Sequence, residues 1–146
     1  MSESSEAPGL PTVDFYVLER GADEEARRVA CRLAEKAWQQ GYRVLLRTAD
    51  ADRARTLDDL LWTFRQESFV PHGLHDEDPD APVVIAHGDP PLDSDGLLIN
   101  LGSDVPEGAA RFQRIAEVVE TTAKDAGRLR YRVYREREWP LRTHSV

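Results

Sequence analysis

A single cysteine, Cys31, among 146 residues excludes any internal disulfide. A reducing, cytoplasmic setting is the simplest reading of that scarcity. Lysine is nearly missing too: Lys36 and Lys124 are the only two among 19 basic residues, a bias better ascribed to base composition than to function. No apolar run approaches the roughly 20 residues needed to span a bilayer, so no membrane association is expected. The opening stretch MSESSEAPGLPT has neither a basic start nor an apolar segment, which excludes a secretory signal, and residues 1–12 read as a disordered leader. Positive charge is in deficit, with a formal net charge of -8, which argues against non-specific attachment to a phosphate backbone. No direct DNA binding is therefore expected. What remains is 40% hydrophobic and 32% charged, the balance of a globular chain. One domain is expected over 13–142, followed by a short tail, 143–146.

Catalytic motifs are also lacking. No G-x-G-x-x-G follows the first apolar strand, where the loop is E-R-G-A-D, and neither G-x-x-x-x-G-K-[ST] nor G-x-S-x-G occurs. No catalytic residue and no cofactor are assigned. Cys31 falls inside an amphipathic helix beside its apolar face, a packing position rather than a nucleophile's. His72 and His75 precede Asp76, Glu77 and Asp78, where a solvated acidic loop is favoured over a metal loop. Asp93-Ser94-Asp95-Gly96 has the look of a calcium loop, but Asp104 stands where the bidentate Glu belongs, so no metal is assigned.

The residues that are present alternate between strand and helix patterns. VDFYVLE (13–19) is a strand. Asp23, Glu24 and Glu25 open a helix whose apolar face is Ala26, Val29, Ala30, Leu33, Ala34, Ala37 and Trp38, ending at Gly41. RVLLRT (43–48) is a second strand, and Asp50 or Asp52 caps a second helix reaching about Arg65 with a stripe of Ala54, Leu57, Leu61 and Phe64. A loop is predicted over 66–79, then strands over 81–86 and 96–101 and a short helix over 109–113. RIAEVVE (114–120) suits a strand or a continuation of that helix. A final helix is predicted from Thr121 to about Glu138, with Ala126, Leu129 and Val133 packed on the sheet. This order predicts an α/β fold: a single Rossmann-like domain, with a mostly parallel open sheet and helices on both faces.

Two stretches stand out. In LDDLLWTFRQESFVPHGL (57–74), Leu60, Leu61 and Trp62 point in three directions, so one face cannot bury all of them with Phe64. Phe69 and Val70 then sit in a predicted loop. Either Trp62 and Phe69 cap the core, or they mark a partner surface. The second stretch is the last helix. From Thr121 to Arg142 there are seven basic and three acidic residues, an excess of four positive charges within an acidic chain. Lys124, Arg128, Tyr131 and Arg135 recur along one helix face. That face is either solvated or a clamp for an acidic peptide, with cations on carboxylates and the ring walling an apolar pocket.

SFVPH following L-D-x-x-L-W, a first strand DFYVL, a later L-I-N-L, and the ending R-x-R-Y-R-x-Y-R together resemble the chi subunit of the bacterial DNA polymerase III holoenzyme, from about Val13 to Leu141. The resemblance implies a Rossmann-like fold without nucleotide chemistry and a non-catalytic accessory role at the replisome. It implies one surface for the acidic, aromatic-ended C-terminal tail of single-stranded DNA-binding protein, at Lys124, Arg128 and Tyr131, with Arg132 and Arg135 as auxiliaries. It implies a second surface for the psi subunit of the clamp loader, or a helicase on the same face, at Trp62, Phe69, Val70, Pro71 and His72. The segment TTAKDAG before the helix is shorter than in some relatives, which leaves the apolar wall of the tail pocket undefined at this level.

Overall fold

The computed structural model describes residues 10–21, 23–64 and 69–146. Most of the predicted leader, the predicted helix end at Arg65, and the first residues of the predicted loop at 66–68 lie outside the described residues.

Alternation after Pro11 produces β1 (Thr12–Val17), with Val13 and Phe15 in one apolar cluster and Tyr16 against the other. Helix α1 (Asp23–Gln39) opens on three acids, where the helix dipole favours them, and closes near Lys36. Strand β2 (Val44–Thr48) is buried along its whole length. Helix α2 (Ala51–Thr63) is capped by Asp50, whose carboxylate accepts from the Arg53 N–H at 2.8 Å. The chain continues through β3 (His72–Leu74), β4 (Val83–His87), β5 (Leu97–Asn100) and β6 (Arg114–Val119), with a 3-10 turn at Ala109–Arg111 before β6. A second 3-10 turn, Thr121–Ala123, leads into α3 (Lys124–Glu136), and β7 (Leu141–Ser145) ends the order.

The seven strands form one sheet in the order β3-β4-β2-β5-β6-β1-β7, and every pairing is parallel. α1 and α2 cover one face, with Ala30, Ala34, Leu57 and Leu61 packed on Leu46, Ile85 and Ile99. α3 and the turn before β6 cover the other, through Tyr134, Ala109 and Phe112 over Phe15, Leu98 and Ile115. Burial on both faces is why β2, β4 and β5 open on the continuous apolar runs VLL, VVIA and LLI rather than on an alternating pattern. No helix among the described residues is long and apolar enough to cross a membrane.

Three expectations need correcting. The predicted loop over 66–79 contains β3, which pairs with β4 from His72↔Val83 to Leu74↔Ile85. Only three residues long and centred on Gly73, it carries no periodic signal. The predicted tail, 143–146, contains most of β7: Thr143, His144 and Ser145 pair with Phe15, Tyr16 and Val17. LRTHS is too polar to announce a strand, because it is an edge strand and needs little burial. The sheet-facing stripe of α3 is not Ala126, Leu129 and Val133 but Gly127, Arg130 and Tyr134, and Leu129 is 59% exposed. A buried carboxylate on β6 rotates the helix, as described below. RIAEVV resolves as a strand because it lies between β5 and β1 and bonds to both.

Cys31 is fully enclosed in the α1 cluster, and burial pushes its thiol up to about 12. A thiol reagent at mildly alkaline pH should leave it intact in the folded chain and modify it in denaturant. Equal rates in both states would contradict the packing role.

Candidate functional site

Three strands and α3 converge on Glu117, which has no exposed surface. Its carboxylate accepts from Arg130 Nε at 2.7 Å, Tyr134 Oη at 2.6 Å and Asn100 Nδ2 at 3.0 Å. Arg130 also donates to the Ser103 carbonyl at 3.2 Å. Asn100 Oδ1 accepts from Arg47 Nη1 at 3.1 Å and from the Gly102 N–H at 2.9 Å. Arg47 closes the network on Asp104 Oδ1 at 2.9 Å. Burial, and then the neighbouring Glu117 charge, hold the Tyr134 phenol protonated well above its ordinary range. A buried charge persists only when paired and hydrogen-bonded, and Glu117 is both. The network fixes the rotation of α3 about its own axis.

That rotation decides which side chains lie over β1 and β6. Lys124, Arg128 and Tyr131 form the rim of a hollow of about 310 Å³ whose floor is Phe15, Val17, Val119 and Thr143. Gly127 permits the close approach, since a Cβ there would lie 2.8 Å from Val119 Cγ1. Tyr131 stands edge-on to Phe15 with ring centroids 5.3 Å apart. Arg128 pairs with Asp125 at 2.7 Å, but both side chains are exposed, and a surface pair of this kind exchanges readily for another anion. Three of the five predicted tail-site residues thus come together. Arg132 and Arg135 are exposed on the same helix and do not line the hollow. The apolar wall that the sequence left undefined is supplied by β1 and β6. Phe15 and Val17 share a face in DFYVL, a signal that could have nominated them. Nothing in the sequence nominates Val119 or Thr143.

The second predicted set lies at the far end of the sheet. Trp62 and Phe69 are 58% and 52% exposed, with ring centroids 5.1 Å apart. His72 sits 5.1 Å from Trp62 and 5.9 Å from Phe69, and its Nδ1 donates to the Val70 carbonyl at 2.6 Å. His72 Nε2 is buried without a hydrogen-bond partner among the described residues and faces Asp58 Oδ1 at 3.4 Å. Burial raises the Asp58 carboxyl, with the His72 charge opposing. Val70 is wholly buried and Pro71 half-buried. Of these five residues, Trp62 and Phe69 therefore offer the surface, while Val70 and His72 hold it in place.

A third hollow, about 330 Å³, opens at the carboxyl ends of the strands, where doubly wound sheets bind ligands. Asp23 and Glu120 line it, and Glu120 is raised by burial and by Asp23 beside it. Arg130 there is committed to Glu117. Among the described residues no group of three or more His, Cys, Asp or Glu is placed to hold a metal ion.

A family model described as DNA polymerase III chi subunit, HolC, matches residues 10–142. The chain belongs to the DNA polymerase III chi subunit family. This chi-family chain is 48% identical over 140 residues to the DNA polymerase III subunit chi of Pseudomonas aeruginosa, covering 94% of this chain and 98% of that one. It is 33% identical over 143 residues to the subunit of the same name from Escherichia coli, covering 92% and 97% respectively. Its fold is similar to a DEAD box protein from the hyperthermophile Methanococcus jannaschii, with a TM-score of 0.61 and 11% identity over 93% of this chain. The chi-family chain spans 42% of that chain.

Proposed function

We propose that this chi-family chain is a non-catalytic bridge within the replicative polymerase assembly. One end grips the acidic C-terminal tail of single-stranded DNA-binding protein. The other docks on the psi subunit of the clamp loader. The observation that carries the reading is the hollow between α3 and β1. It combines two cations and a tyrosine over an aliphatic and aromatic floor, with no carboxylate in its lining. A peptide ending in an aromatic residue presents a ring for the floor and carboxylates for the rim. The coating protein is multimeric, so several tails raise the local concentration at a weak site. The non-catalytic assignment is supported by the crevice at the carboxyl ends of the strands. Two carboxyl groups there repel a phosphate, its buried Arg130 is already paired with Glu117, and its other arginine, Arg53, is held by the Asp50 carboxylate at 2.8 Å.

Arg128→Ala should weaken binding of a labelled acidic tail peptide by about 1–3 kcal/mol, through loss of a charge-assisted contact. Added salt should weaken the wild-type complex as well. Equal affinity of variant and wild type would remove Arg128 from the site and the reading with it.

A further inference from the structure

β7 pairs with β1 on one side and has no neighbour on its other side among the described residues. The bonds from Val13 N to Pro140 O at 2.9 Å and from Val146 N to Val17 O at 3.0 Å turn the even-numbered backbone groups toward β1. In a parallel ladder these groups alternate by residue, so the N–H and C=O of Leu141, Thr143 and Ser145 point away from the sheet. Such an edge is a template for another strand.

Side chains alternate as well, and they give the edge two charged faces. Phe15, Val17 and Thr143 turn toward α3, into the hollow rimmed by Lys124 and Arg128. Asp14, Tyr16, Arg142 and His144 turn the other way, into a hollow of about 280 Å³ shared with Lys36 and Arg114. Asp14 is the one carboxylate lining this second hollow. It accepts from Arg114 Nη2 at 2.8 Å, Arg142 Nε at 2.9 Å and His144 Nε2 at 2.9 Å. Lys36, Arg114 and Arg142 against Asp14 leave an excess of two positive charges there. Tyr16 and His144 stack with centroids 4.8 Å apart and wall the hollow with flat rings. Each guanidinium has five donors, so Asp14 does not exhaust them. On the α3 side, among the described residues, only the exposed pairing of Arg128 with Asp125 opposes the cations.

We propose that the β7 edge and the hollows on its two faces receive an extended acidic peptide from a partner protein as an added strand, with alternate side chains entering the α1-side and α3-side hollows. The proposal deepens the tail-binding reading and rests on it for the seat at Arg128. The unpaired backbone groups of Leu141, Thr143 and Ser145 select a peptide over a nucleic acid, because only a peptide continues the ladder. Positive charge on both faces selects acidic side chains at successive positions.

The test uses the full chain and a synthetic peptide of about ten residues, rich in Asp and ending in Phe. Amide exchange at Thr143 and Ser145 should slow when the peptide binds. Ser145→Pro removes an outward N–H on an edge strand that tolerates proline, and Ser145 lines neither hollow. Ser145→Pro and Arg142→Glu should each weaken the peptide about tenfold, the size of one or two net hydrogen bonds. If Arg142→Glu fails to fold, Ser145→Pro carries the test. Unchanged binding by Ser145→Pro, with no slowing at Thr143 and Ser145, overturns the added strand. Loss in Arg128→Ala alone then leaves the tail site standing, whereas loss in Ser145→Pro alone supports the edge and removes the tail site. Slowing by oligothymidylate in place of the peptide, or by self-association that Ser145→Pro abolishes, overturns the choice of partner.

Discussion

Replacing Glu117 with alanine is expected to destabilise the fold by about 3–5 kcal/mol, because it strands a buried arginine without its anion. Arg130 Nε would lose its acceptor at 2.7 Å, and the Tyr134 hydroxyl and the Asn100 amide would lose theirs at 2.6 and 3.0 Å. A domain of this kind has roughly 5–15 kcal/mol in total, so the variant should sit near the edge of folding. Arg130→Ala should cost a similar amount by leaving Glu117 uncompensated. Replacing both together, Glu117→Leu with Arg130→Met, should be milder than either alanine variant, since an apolar pair of similar volume removes the desolvation penalty. Urea unfolding of the three variants is the measurement. Single-variant losses within about 1 kcal/mol would mean that water reaches the pair and solvates the remaining partner. Binding should part from stability: the network sets the rotation of α3, so an acidic peptide should lose affinity in the double variant even if the fold survives.

Trp62→Ala is expected to reduce affinity for a psi subunit by about 2 kcal/mol or more, close to 30-fold, while changing folding stability by no more than about 0.5 kcal/mol. The contrast follows from exposure. Trp62 and Phe69 lean on each other and on the edge of the His72 ring rather than on the core. Two exposed rings on a rigid support are suited to a binding hot spot, since they bring large area with few torsions to freeze. Phe69→Ala should act similarly, and Arg128→Ala should leave this interaction unchanged because it lies on the other side of the molecule from α2. Val70→Ala would act differently, through a cavity in the core, and should show in unfolding before it shows in binding. If Trp62→Ala and Phe69→Ala bind psi as the wild type does, the aromatic pair is not the docking surface.

Much of this architecture was legible before any coordinates. The apolar runs within the predicted strands 43–48 and 81–86 announced β2 and β4, which lie buried because both faces of the sheet are covered, and the spacing from Ala26 to Ala37 announced α1. Asp50 and Asp52 were both recognisable as candidate caps, and Asp50 is the one whose carboxylate reaches the Arg53 N–H. The recurrence of Lys124, Arg128, Tyr131 and Arg135 placed four residues on one face; the first three share one hollow, and Arg135 does not line it. The two edge strands were not legible. β3 and β7 are short and polar, and each bonds to a single neighbour, so their membership depends on a partner far away in the chain rather than on their own pattern.

The local repeat of side chains therefore determined the helices, the central strands and the family of candidate residues. Tertiary structure alone decided which way α3 turns. By hydrophobic period, Ala126, Leu129 and Val133 should face the sheet. Instead Glu117, buried on β6, draws Arg130 and Tyr134 inward, because a charge removed from water costs more to leave unpaired than an exposed leucine costs to solvate. That single preference carries Tyr131 and Arg128 over Phe15 and Val17 and makes the hollow.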